Sequence, residues 1–166
     1  MTLLFWLAAA YFAATTAVPM LLLTFRSFRA QVALQFGKRS FIFPETATER
    51  KAFLFVAVTV GICEEVIFRS FAWTYFTGPP FDWPLWTAFA AAVLLFAAGH
   101  YLQGLSGIVH SAIVGLLLGL VFLYTGSLLL PVLIHILIDL KILLISWAAA
   151  TAPNRTDTVP ASARST

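Results

Sequence analysis

Charge is what this sequence has least of. Only 10% of its 166 residues are Asp, Glu, Lys or Arg, against 61% hydrophobic ones, where a soluble domain carries about 25% charged and roughly 45–50% apolar residues. Such a composition excludes an ordinary water-soluble domain. Cysteine occurs once, as Cys63, so no intrachain disulfide can form and cysteine usage does not reveal the redox compartment. No Lys or Arg precedes Arg26, so the positive amino-terminal region of a cleavable signal peptide is missing and the first apolar stretch reads as a retained helix.

What the chain has instead is a series of hydrophobic segments at residues 3–25, 52–76, 83–102, 108–125 and 128–150. Each approaches the roughly 20 residues that a helix needs to cross a hydrocarbon layer about 30 Å thick. Isolated lipid-exposed strands cannot satisfy their backbone groups, so all five segments read as helices. The expected fold is all-α, a polytopic transmembrane bundle of about five helices. Its parts are a first helix with a basic loop (1–51), a helical core (52–150) and a disordered tail rich in Thr, Ala, Ser and Pro (151–166). Breaker and interface signals separate the segments: Thr77-Gly78-Pro79-Pro80 with Trp83 and Trp86, then Gly104 and Gly107, then Thr125-Gly126-Ser127. Links this short favour antiparallel neighbours.

The formal charge of +3 comes mainly from Arg26, Arg29, Lys38, Arg39, Arg50 and Lys51, offset by Glu45 and Glu49. Between two spanning segments, such a cluster is a topology signal rather than a nucleic-acid site. Placing it in the cytoplasm puts the amino terminus outside and the tail, with Arg155 and Arg164, inside. The mixed aromatic and basic stretch 28–43 suits the headgroup layer. In the fourth segment, Gly115 and Gly119 stand at the small-xxx-small spacing that lets helix backbones approach closely.

The ionisable residues inside the predicted spans are Glu64, Glu65, Arg69, His100, His110, His135, Asp139 and Lys141. A charge at mid-bilayer costs on the order of 2.5–3.5 kcal/mol, which makes each of them a functional candidate. Glu65 and Arg69 are four apart and can pair on one helix face. Glu64 stands about 100° around the helix and lacks such a cation, so the two carboxylates have different environments, as general acid/base chemistry requires. Glu64 is the candidate base. In Phe96-Ala97-Ala98-Gly99-His100, Gly99 would admit a neighbouring helix or a substrate close to the imidazole. His135 and Asp139 share a face, so the carboxyl can orient the ring. Counting depth along the helices places Glu64 near mid-membrane but His100 and His135 towards opposite ends, so bringing them together requires tilt or shifted boundaries. Lys141 reads as snorkelling to an interface, His110 as a packing or interface residue, and Cys63 as a buried, inert thiol rather than a nucleophile.

Taken in order, Glu-Glu-x-x-x-Arg, Phe-x-x-x-His, a Gly-rich helix and His-x-x-x-Asp resemble the CPBP family of intramembrane proteases. That family includes the endoprotease that trims prenylated CAAX proteins and bacterial members linked to bacteriocin processing or self-immunity. The resemblance covers residues 52–150. It implies that Glu64 and His100 activate a water for attack on a peptide carbonyl, that His135 and position 139 stabilise the oxyanion, and that Glu65 and Arg69 support the site. Family members often carry Asn at the last position. Asp139 can donate to an oxyanion only when protonated, and otherwise can orient His135. The implied partners are a membrane-associated peptide or protein substrate and the lipid bilayer, in a multi-pass protein of the bacterial inner membrane with a cytoplasmic carboxyl terminus.

No cofactor is expected. Zinc is the competing mechanism, because two His and one Glu could form a three-ligand site with an open position, but no His-Glu-x-x-His spacing is present. The alternative function is a non-enzymatic immunity protein or a proton-coupled carrier component using the same groups as a relay. Without an internal repeat, a complete transporter is disfavoured. A third reading is an assembly factor that keeps the motifs without the chemistry. Against it, every catalytic-type position is filled.

Overall fold

A computed structural model describes residues 2–25, 27–29, 31, 44 and 46–150. Most of the 28–43 stretch and the tail from Thr151 lie outside the described residues. Among the described residues the regular elements are all helical: α1 (Thr2–Leu22), α2 (Ala47–Glu65), a π-helical turn (Val66–Phe71), α3 (Ala72–Thr77), α4 (Leu85–Gly99), a 3₁₀ turn (Tyr101–Gln103), α5 (Gly104–Thr125) and α6 (Leu129–Ala150). Two helical stretches are long and apolar enough to cross a membrane: Tyr101–Thr125 and Leu129–Trp147, each with a mean hydropathy of 2.2. Leu85–Gly99 is a shorter apolar helix.

The second helix starts earlier than its hydrophobicity suggests. The backbone N–H of Glu49 donates to Thr46 Oγ1 (3.1 Å), and the N–H of Thr46 donates to Glu49 Oε2 (3.0 Å). This reciprocal capping box satisfies two otherwise orphaned donors, so the helix begins at Ala47 rather than Ala52 and takes in Arg50 and Lys51. A boundary read from apolar residues alone misses such a polar start.

α2, the π-helical turn and α3 run on without a break over residues 47–77. Within the turn the Ala72 N–H bonds the Ile67 carbonyl, five residues back. This wider turn matters for burial. Ala57, Gly61, Glu65 and Arg69 are all buried at a stride of four. In an α-helix of 3.6 residues per turn, that stride drifts steadily around the axis. A π turn winds more slowly and returns Arg69 towards the face that holds Glu65.

α4 packs on α5 through large residues set against small ones. Ala88, Phe89, Ala92 and Phe96 are the buried face of α4, and Val114, Gly115, Leu118 and Gly119 that of α5. A Cβ on Gly115 would stand 2.9 Å from Phe96 Cδ1, and one on Gly119 would stand 2.6 Å from Phe89 Cε2. The small-xxx-small pair therefore does pack helices, by accommodating two phenyl rings. Gly107, read from sequence as a breaker, lies buried inside α5, where a Cβ would overlap Gln103. Gly104, with φ 74°, is the residue that turns the chain into the helix. Gly126, at φ 65°, ends α5 in the left-handed conformation, and its N–H bonds the Phe122 carbonyl at 2.8 Å.

The link from α3 to α4 is held by aromatics: Phe76 and Trp83 stack at 4.8 Å, and Phe81 lies 5.1 Å from Tyr75 and 5.5 Å from Trp83. Clusters of this kind suit a membrane–water interface. Gly119→Val forces a branched side chain into Phe89 and is expected to lower stability by about 1–3 kcal/mol. By contrast, Gly99→Ala, whose Cβ meets nothing within 4 Å, should stay within about 0.5 kcal/mol of the parent. Thermal unfolding in detergent checks both.

Candidate active site

Glu64 and Glu65 close α2 on adjacent faces, and their surroundings differ as their positions demand. Glu65 is 0% exposed and Arg69 4% exposed, which such charged groups tolerate only when paired. Arg69 Nη1 lies 3.0 Å from Glu65 Oε1, and Nη2 donates to the Gly115 carbonyl at 3.1 Å. The guanidinium carbon sits 4.6 Å from the centroid of the Phe96 ring, inside the range of a cation–π contact. The predicted i,i+4 pair is thus present and is tied to both α4 and α5.

α6 brings His135 to the same place. Gly61, one turn before Glu65, has no side chain to hold the helices apart; a Cβ there would stand 2.7 Å from Ile136 Cγ1. Next to that contact, His135 Nδ1 and Glu65 Oε1 are 2.7 Å apart. A carboxylate oxygen accepts, so Nδ1 carries the donated proton. His135 Nε2 then faces Glu64 Oε2 at 3.6 Å and Asp139 Oδ2 at 3.9 Å. Glu65, rather than Asp139, therefore sets the ring's orientation. The i,i+4 spacing puts Asp139 on the right face but beyond hydrogen-bond reach of the imidazole. The contact between positions 65 and 135 comes from tertiary packing, and local spacing carries no trace of it. The contact at Gly61 brings His135 beside the two glutamates despite its depth counted along α6.

His100 is not in mid-helix. It follows the last residue of α4, with φ −93° and ψ 16°, and is half-buried. Its Nδ1 is 2.8 Å from the Phe96 carbonyl. The carbonyl can only accept, so Nδ1 bears the proton and the neutral ring keeps Nε2 as an acceptor. His100 makes no hydrogen bond or ion pair with Glu64 among the described residues. It joins the cluster through Phe96, whose ring centroid is 4.9 Å from its own and 5.8 Å from that of His135. No neighbouring helix uses Gly99 for a close approach among the described residues, since nothing stands within 4 Å of a Cβ there, and the space beside it is open.

Sequence spacing names the polar members of this cluster but not Phe96 as the hub, Gly61 as the contact point or the Gly115 carbonyl as the third partner of Arg69. The four-residue step from Phe96 to His100 and from Gly61 to Glu65 is the signal that could have found the first two. Cys63 is exposed rather than buried, so it is separated from the adjacent glutamates by its outward direction on α2. His110 is exposed on α5.

Two carboxylate oxygens, Glu64 Oε2 and Glu65 Oε2, are buried without a hydrogen-bond donor from the protein among the described residues. Of the two residues only Glu64 is partly accessible, so its oxygen is the one with lone pairs open to a ligand. Among the described residues, no group of three or more His, Cys, Asp or Glu side chains is placed to hold a metal ion.

Residues 47–141, more than half of the chain and the part that carries every site residue above, match the family model described as type II CAAX prenyl endopeptidase Rce1-like. The chain belongs to that family. Neither a curated protein nor a solved structure matches it. Membership in the Rce1-like family makes it a protease of the CPBP kind and a membrane protein, whose substrate is a membrane-associated peptide or protein.

Removing one member of the buried Rce1-like core should be costly. Arg69→Met strands the Glu65 carboxylate and is expected to destabilise by about 3–5 kcal/mol. Adding Glu65→Gln to that variant should recover part of the loss, as measured by denaturant or thermal unfolding in detergent.

Proposed function

We propose that the protein is an intramembrane endopeptidase that cleaves a membrane-associated peptide or protein tail with a water activated by Glu64. The observation that carries this reading is the buried Glu64 Oε2: among the described residues it accepts no hydrogen bond, and it lies beside the His135 ring, within the segment that matches the family. A carboxylate so placed can take a proton from water as the new C–O bond forms to the substrate carbonyl. His100, with Nε2 as its acceptor nitrogen, shares that activation. His135 faces the same space, where an Nε2–H would stabilise the oxyanion. When the C–N bond breaks, Glu64 returns the proton to the leaving amine.

Glu65 and Arg69 act through His135, holding its ring rather than touching substrate. Asp139 contributes to the oxyanion as the protonated acid. The chemistry proceeds without a metal. The five hydrophobic segments all span the membrane, with the basic segment and carboxyl terminus cytoplasmic, and the setting is a bacterial inner membrane. The positive-inside distribution of Lys and Arg supports that orientation.

Purified protein is tested against membrane-tethered peptides, with and without chelator. Glu64→Gln and His100→Ala should each lower cleavage by about 10²–10⁴-fold while leaving the unfolding midpoint near that of the parent. Asp139→Asn should remain active, because an amide N–H can donate to the oxyanion. Loss of wild-type activity on chelation would replace this mechanism with a zinc one, and folded protein that cleaves no substrate would favour the carrier or immunity reading.

A further inference from the structure

Phe89 and Phe96 stand seven residues apart on the buried face of α4, and the contrast between them is informative. Both are buried, at 6% and 2% exposure, and each fills the space left by a glycine of α5. Among the described residues, the ring partners of Phe89 are both aromatic, Trp73 and Trp86. Phe96 packs against Phe68 at 5.3 Å and also meets Arg69, His100 and His135. The same core position, one stride further along, carries the functional groups.

Arg69 is held in three ways: by Glu65, by the Gly115 carbonyl and by the face of the Phe96 ring. The two polar partners constrain the guanidinium edge, while the ring constrains its plane. His100 depends on Phe96 still more. It lies beyond the end of α4, and among the described residues both contacts that orient its imidazole come from Phe96: the backbone carbonyl on Nδ1 and the side-chain ring against its own. A leucine could fill this volume, but it has neither a π face for the guanidinium nor a flat surface for the imidazole.

We propose that Phe96 is a positioning residue that sets the orientation of His100 and Arg69 relative to each other, a role that rests on the reading of the site given above. The test uses the full chain in detergent micelles with ¹⁵N-labelled histidine, since there are three histidines to resolve. The ¹⁵N shifts report tautomer state, which ring currents barely affect. Wild-type His100 should show one tautomer, protonated at Nδ1. Phe96→Leu keeps the backbone carbonyl but removes the ring that seats the imidazole against it, so it should give a mixture of tautomers at His100 and lower kcat by about tenfold or more, with KM within about twofold of the parent. Phe89→Leu, which empties the equivalent place in the same interface, should lose comparable thermal stability yet keep the single tautomer and a kcat within about twofold of the parent. Phe96→Met, similar in volume but without a π face, replaces the leucine variant if that fails to fold. A single His100 tautomer persisting in the Phe96 variant, or a kcat loss no larger than that of Phe89→Leu, overturns the proposal. If the wild type cleaves nothing, the proteolytic reading fails on its own and the tautomer comparison alone decides the role of Phe96.

Discussion

A carboxylate with no exposure to solvent, Glu65, governs the arrangement of this molecule. Burying it is unfavourable unless partners replace its hydration, and the replacements come from two directions: Arg69 on its own helix and His135 on α6. Arg69 is itself buried and draws on the Gly115 carbonyl of α5 and the Phe96 ring of α4. One desolvated charge thus obliges three other helices to meet the helix that bears it. Polar bonds of this kind are directional, so they specify a register that apolar packing alone would leave looser.

Small residues and one irregular turn make those meetings geometrically feasible. Gly61 lets α6 come close beside Glu65, and Gly115 leaves room for the Phe96 ring. The π-helical turn after Glu65 slows the winding and reduces the drift of the four-residue stride that ends at buried Arg69. π turns are often associated with functional sites, and this one keeps a four-residue stride facing the same neighbours. The result separates two adjacent glutamates, Glu65 enclosed and committed to structure, Glu64 partly accessible with an oxygen that no donor among the described residues occupies.

Much of this could be read from residue order alone. The scarcity of charge marks a membrane protein, and the Glu65 to Arg69 and His135 to Asp139 steps correctly place each pair on a shared face. Some local signals carry more than one meaning. Ala52 looks like a helix start by hydropathy, but the Thr46 to Glu49 capping box moves it to Ala47. Gly107 looks like a breaker but supplies close packing within α5, and Gly99 looks like a contact point but faces open space.

Sequence by itself determined the helical class and the short list of chemically capable residues, because both follow from composition and from periodicities within single helices. Only the tertiary structure decided that His135 answers to Glu65 rather than to Asp139, that the Phe96 ring meets His135, and that a glycine carbonyl steadies Arg69. Those relations join residues on different helices, and their partners are selected by which faces meet when Glu65 is buried. That choice belongs to the packed bundle and leaves no spacing along the chain to read.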